Sequence, residues 1–193
     1  MLEQRIQQQF FESADLLYQV AESLSRPVAD AAQLLVDGIT AGNRVLCCGL
    51  GLSSLDARYM AALLSGRFEQ DRPGLAALFL DGQLQMSAPA DAGAALARQI
   101  QVLGHPGDLL LLFESQGAPR AQLAPLLEAA HAQDMTVIAL SGSQDDEWRS
   151  ALLDTDVQIR LPHSRPARVA EGQRLLAHCL CDAIDLQLLG SGE

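Results

Sequence analysis

The chain has 193 residues and a mass of 20.7 kDa, with 49% hydrophobic and 19% charged residues, so one domain with a real core is expected and disorder is not. Its formal charge of −11, from 24 acidic and 13 basic residues, repels phosphate backbones and disfavours direct binding to nucleic acid or to an anionic membrane. All 13 basic residues are arginine, which excludes chemistry that needs a lysine amine: Schiff-base aldolases, pyridoxal phosphate enzymes and the Walker-A phosphate loop.

Residues 1–42 read as a helical hairpin. Leu2, Ile6, Phe10, Leu17, Val20 and Leu24 recur at helical spacing, Ser25-Arg26-Pro27 marks a stop and a new start, and Val28, Ala31, Leu35 and Ile39 form a second stripe that ends at Gly42-Asn43. From Arg44 the pattern alternates. Short apolar strands are expected at Val45–Cys48, Leu75–Leu80, Asp108–Phe113, Thr136–Leu140 and Val157–Leu161, with helices near 54–66, 91–103, 119–132 and 145–153 and a long final helix over 166–189. This alternation predicts an α/β fold: a three-layer αβα sandwich around a five-stranded parallel sheet, of flavodoxin-like type, preceded by the hairpin.

Apolar runs such as Leu109–Phe113 are too short to span a bilayer. The start, Met1-Leu2-Glu3-Gln4-Arg5, lacks the basic region and apolar block of a secretory signal. The cysteines, Cys47-Cys48 and Cys179-x-Cys181, have no C-x-x-C spacing and read as small buried hydrophobes of a reducing cytosol. A cytoplasmic protein is expected.

In an open parallel sheet ligands bind beyond the carboxyl ends of the strands, and three such ends carry polar residues. Cys48-Gly49-Leu50-Gly51-Leu52-Ser53-Ser54 precedes a helix; it reads either as a cradle for a phosphate or sugar phosphate, or as a glycine turn with Ser53 or Ser54 as helix cap. Phe113-Glu114-Ser115-Gln116-Gly117-Ala118-Pro119 also precedes a helix, but offers one hydroxyl and one anion. A carboxylate about 4 Å from a phosphate charge costs roughly 1–4 kcal/mol, so this loop argues against tight phosphate binding unless an arginine intervenes. The third end, Leu161 to Arg168, is the most basic stretch; with Arg160, Arg165, Arg168 and Arg174 it reads as an anion site or as salt bridges to acidic residues across a subunit interface.

Among the histidines, His105 lies in a Gly104-His105-Pro106-Gly107 turn and is expected to face solvent. His131 sits near a helix end, where a cation is favoured. His163 belongs to the third loop. His178 lies on the final helix two turns past Glu171, and the two read as a weak acid/base or two-ligand metal candidate, or as structural residues.

The two-helix start, the Gly-x-Gly-x-Ser loop, Gly66-Arg67-Phe68-Glu69 with Arg72-Pro73, Leu103-Gly104-His105-Pro106-Gly107-Asp108, and the closing stretch from Asp156 to Asp185 together resemble the sugar-isomerase (SIS) family, over essentially the whole chain. Within it the likeness is to the phosphoheptose isomerases and to DiaA, the DnaA initiator-associating protein. The resemblance implies a homotetramer with the N-terminal helices and the last helix in its interfaces. It also locates departures. The family's Gly-Asn-Gly-Gly-Ser loop is Gly49-Leu50-Gly51-Leu52-Ser53 here. In the isomerases the next helix carries a His and, four residues on, a Glu, which serve in metal binding and proton transfer; here these are Tyr59 and Leu63. The family's Ser-Thr-Ser-Gly-Asn-Ser phosphate loop falls on Glu114 to Pro119, its metal-ligand Gln on Ala170 and its His on His178, and its polar substrate contacts after Asp81 on a plainer Gly82 to Pro89 segment.

Moving a proton between neighbouring carbons of a sugar phosphate needs a base, an acid and a phosphate anchor. The expectation is therefore a non-catalytic SIS-domain protein resembling DiaA, which regulates replication initiation through the initiator DnaA, with no cofactor and no metal. Its apolar tail, Leu186-Gln187-Leu188-Leu189-Gly190, reads as a partner patch or a last packed turn. The alternative is a sedoheptulose 7-phosphate isomerase, with zinc and with His178, Glu171 and Glu114 in relocated roles, or a sensor that binds a sugar phosphate. The ligand-binding candidates are Gly49, Gly51, Ser53, Ser54, Glu114, Ser115, Gln116 and Gly117.

Overall fold

The central apolar runs become strands because helices cover both of their faces, while the strands at the two sheet edges are only partly buried. The computed structural model describes residues 1–82, 92–143 and 149–190. The strands are β1 (Val45–Gly49), β2 (Ala77–Phe79), β3 (Leu109–Phe113), β4 (Thr136–Ser141) and β5 (Val157–Arg160). They pair in parallel in the order β2-β1-β3-β4-β5. The helices are α1 (Leu2–Thr40), α2 (Ser54–Ser65), α3 (Ala92–Leu103), α4 (Arg120–Ala132) and α5 (Pro166–Leu189), with a 3₁₀ turn at Gly51–Ser53.

Successive side chains of a strand point to opposite faces, and the two cores follow that alternation. Val45, Cys47, Leu109, Leu111, Phe113, Ile138 and Leu140 pack with α1, α2 and α5. Leu46, Cys48, Leu110, Leu112, Val137 and Ala139 pack with α3 and α4. The result is the expected three-layer sandwich, and the winding of the chain reverses between β1 and β3. Doubly wound sheets open a ligand crevice at such a switch point. The β2 strand is shorter than the Leu75–Leu80 expectation, since as an edge strand it pairs on one side only.

The expected N-terminal hairpin is corrected to one continuous helix, α1, of 39 residues with Pro27 inside it. Its apolar face stays in phase across the proline: Leu16, Val20, Leu24, Val28, Ala31 and Leu35 follow at intervals of three or four and enter the core beside α5. Proline withholds the N–H that the Ser23 carbonyl would accept in an unbroken helix, but packing along the stripe outweighs that loss. Of the helix expected near 145–153, residues 144–148 lie outside the described residues, and 149–153 form turns.

Cys47, Cys48 and Cys181 are buried, as expected, and burial pushes the Cys48 thiol up to about 12. Cys179 departs from that expectation and is exposed. Two residues apart on a helix, Cys179 and Cys181 point to nearly opposite sides, and only Cys181 meets the core, with its sulfur 3.7 Å from that of Met60.

The segment between α2 and β2 is fastened by Arg72. Its guanidinium meets Asp185 of α5 at 2.5 Å and donates to the carbonyls of Leu63 and Leu64 at 3.0 and 2.9 Å. Both side chains of the ion pair are almost fully buried. Removing one partner of such a pair leaves an uncompensated charge, so Arg72→Met is expected to lower stability by about 3–5 kcal/mol, measured by urea unfolding. Pro27→Ala restores a helical donor without disturbing the packed stripe and is expected to gain about 1–3 kcal/mol. It should raise the urea midpoint at constant m-value, whereas a hairpin with Pro27 opening its second helix would gain nothing.

Candidate functional site

Two loops meet at the switch point, one after β1 and one after β3. In the first, the backbone turns so tightly that a Cβ on Gly49 would stand 2.7 Å from the Ser54 nitrogen. Ser53 occupies the N-cap position of α2, yet makes no side-chain capping bond. Its hydroxyl is instead fully buried and pairs with that of Ser115 at 2.8 Å. The expected cap, on Ser53 or Ser54, is thus replaced by a bond between the loops. The side chain of Gln116 lies against Gly51, in the space a Cβ there would need, and the Leu50 amide donates to the Phe113 carbonyl at 3.3 Å.

In the second loop the Glu114 side chain is buried and curls over its own backbone. One carboxylate oxygen accepts from the Gln116 amide at 2.6 Å and the other from the Gly117 amide at 3.0 Å. The Glu114 amide donates to the Leu140 carbonyl at 2.9 Å, and its carbonyl accepts from Gln173 at 2.7 Å. The same Gln173 amide group donates to the Leu140 carbonyl at 2.9 Å, so α5 bridges the ends of β3 and β4. Gln173 was not singled out from the sequence. The signal was present: a polar residue interrupts the buried stripe Val169, Leu176, Leu180, Ile184 of α5.

A second group lies between α2 and α5. The Tyr59 hydroxyl and His178 Nε2 are 2.9 Å apart, and Phe68 stacks beside the imidazole with centroids 5.6 Å apart. The Arg174 guanidinium covers the Tyr59 ring at 4.0 Å and pairs with Asp56 at 2.6 Å. Leu63, one turn after Tyr59, packs against the core.

The basic third loop pairs within its own chain. Arg165 pairs with Glu12 and donates to the Gln9 side-chain oxygen at 3.1 Å. His163 meets Glu12 at 3.3 Å, and Arg168 donates to the Gln9 carbonyl at 2.8 Å and pairs with Glu171. The hydrogen bond from Arg165 holds the Glu12 carboxyl below its ordinary value, so this fastening weakens as pH falls through the carboxylate range. Glu171 also accepts from Ser13 at 2.9 Å. The two weak catalytic candidates thus belong to different hydrogen-bonded groups, Glu171 with Arg168 and Ser13, His178 with Tyr59. His131 does not act as a simple helix cap, because its Nε2 meets buried Asp156 at 2.8 Å. His105 is exposed as expected, next to Arg44.

The zinc that an isomerase reading implies does not fit the residues at its positions. Of Tyr59, Leu63, Ala170 and His178, only the imidazole is a customary zinc donor, and no cluster of three or more His, Cys, Asp or Glu side chains able to hold a metal occurs among the described residues. Among the same residues no helix is long and apolar enough to cross a membrane.

A family model for the SIS domain matches residues 9–142. The chain belongs to the SIS-domain family. It is 50% identical over 197 aligned residues to a phosphoheptose isomerase of Methylibium petroleiphilum, covering 100% of this chain and 98% of that protein. It is 39% identical over 185 residues to the DnaA initiator-associating protein DiaA of Klebsiella pneumoniae, covering 94% of each. Its fold superposes on the phosphoheptose isomerase of Neisseria gonorrhoeae with a TM-score of 0.85 at 32% identity, covering 96% of this chain and 99% of that one.

Gln173→Leu keeps the side-chain volume but takes the Gln173 donor from the buried Glu114 carbonyl, while the Leu140 carbonyl keeps the Glu114 amide, so it is expected to cost about 1–3 kcal/mol. Urea unfolding measures the loss, and a neutral result would remove Gln173 from this bridging role.

Proposed function

We propose that this SIS-domain chain is a non-isomerising assembly protein of the DiaA kind, which binds the replication initiator DnaA in the cytoplasm. The observation that carries this reading is the group of side chains between α2 and α5. The resemblance expects a proton-transfer pair there, whereas the chain has Leu63, which cannot accept a proton, and His178, which shares its Nε2 with the Tyr59 hydroxyl at 2.9 Å. The 39% identity to a DiaA along nearly the full length supports it from outside the site.

The same reading includes self-association as a homotetramer. An apolar groove of about 340 Å³ between α1 and α5, lined by Leu17, Val20, Leu24, Val28, Leu175 and Cys179, and the exposed Ile6, Phe10 and Phe11 of α1 are surfaces suited to a second copy. A closed oligomer would present several copies of one weak partner site, and avidity would follow from their number.

A second reading is favoured by a specific observation: the relative at 50% identity is named phosphoheptose isomerase. In that case the chain would turn over sedoheptulose 7-phosphate with help from His178. The two readings separate in a paired experiment on the purified full-length protein. The expected outcome is saturable DnaA binding at or below tens of micromolar by surface plasmon resonance, with no turnover of sedoheptulose 7-phosphate, with or without added zinc. Turnover that His178→Ala abolishes, together with no DnaA binding in that range, would reverse the assignment.

A further inference from the structure

The loop after β3 is built as an anion receptor. The Gln116 and Gly117 amides point to one side, with Gly117 in the left-handed conformation at φ 74°, which is how successive peptide N–H groups form a concave nest for an anion. The nest sits at the switch point of the sheet and just ahead of α4, a helix of 13 residues. The position and the donors are those an oxyanion would use.

We propose that Glu114 is a tethered substitute for that anion, and that this single residue closes the nest to phosphate. Each carboxylate oxygen takes one of the two amides, at 2.6 and 3.0 Å, and the side chain is wholly buried. Its backbone is fixed from both sides, by the Leu140 carbonyl and by Gln173, so the carboxylate departs only by breaking bonds that bury it. The nearest hydroxyl of the loop, on Ser115, is committed to Ser53. A phosphate arriving here would compete for donors already engaged and would face a like charge at close range in a buried setting, where Coulomb repulsion is least screened. The sequence alone suggested a carboxylate that repels phosphate; the geometry goes further, because the carboxylate occupies the phosphate's own hydrogen-bond positions. Glu114 is therefore the specificity-determining residue of this loop, and the assignment stands whether or not the chain binds DnaA.

The prediction is a gain of binding. The full-length protein, Glu114→Ser and Glu114→Gln are compared by thermal unfolding in inorganic phosphate and in chloride of equal ionic strength, and the amide resonances of Gln116 and Gly117 are followed by NMR. Wild type should gain only the non-specific increment that an excluded salt gives any folded protein, and the variants are read relative to it. Glu114→Ser, with its nest vacated, should melt lower than wild type in chloride and regain about 4 °C or more in saturating phosphate, with both amide resonances moving. Glu114→Gln retains one acceptor oxygen without the charge, so it should lose less, regain less, and supply the comparison if the serine variant does not fold. Phosphate that stabilises wild type as much as the variants, or that stabilises neither variant above its chloride value, overturns the proposal. DnaA binding does not enter this readout, so its failure would leave the assignment of Glu114 untouched.

Discussion

The carboxyl edge of the sheet holds its shape through one buried primary amide. Where β3 ends, the Glu114 amide still reaches the Leu140 carbonyl of β4, but the Glu114 carbonyl turns to α5, and in a dry interior an unmet carbonyl is costly. Gln173 reaches down from α5 and donates to the carbonyls of Glu114 and Leu140 together. That pair of bonds fixes α5 over the sheet, fixes the start of the loop after β3, and thereby sets where the Glu114 carboxylate can reach. The Ser53–Ser115 bond then joins the loop after β1 to the same frame. The Gln173 amide N–H groups are thus matched to acceptors within the site, while its buried Oε1 has no hydrogen-bond partner among the described residues.

The chain shares its fold with phosphoheptose isomerases and 39% of aligned residues with a DiaA. The backbone superposes on that of the Neisseria gonorrhoeae phosphoheptose isomerase with a TM-score of 0.85 over nearly the whole of both chains. Fold likeness of that kind leaves activity open, since function resides in the side chains grafted on the scaffold. Here an aromatic and guanidinium cluster lies between α2 and α5, with Arg174 over Tyr59 and Phe68 beside His178. These ring contacts add to the packing of α2 on α5.

Most of the architecture was legible in the sequence, and the reason is burial on both faces. Strands such as Leu109–Phe113 are short unbroken apolar runs bounded by turn residues, Gly104-His105-Pro106-Gly107 before and Gly117 after, and that brevity marks them as buried strands rather than helices. The hairpin was misread because Pro27 is a strong local signal, and a local signal is silent about α5, the neighbour that keeps Leu24 and Val28 in one stripe. Cys179 shares an apolar segment with Cys181, but residues two apart on a helix face nearly opposite sides, which segment composition does not reveal. The charge of Glu114 was readable, but its partners were not: they are backbone amides of its own loop, and amides carry no mark in a sequence. Gln173 stood out only as a polar break in a stripe, with nothing to indicate which carbonyls it would serve.

The long first helix is attached by two different forces along its length. From Leu16 onward it is held by apolar burial, with Leu16, Val20, Leu24, Ala31 and Leu35 in the core. Before that point its contacts to the body are polar: Glu12 to Arg165 and His163, Gln9 to Arg165 and Arg168, and Ser13 to Glu171. Salt screens the ionic contacts among these, while excluded salts such as sulfate reinforce apolar burial. One continuous helix thus has an electrostatic end and an oily end, and a change of solvent can loosen the first while it tightens the second.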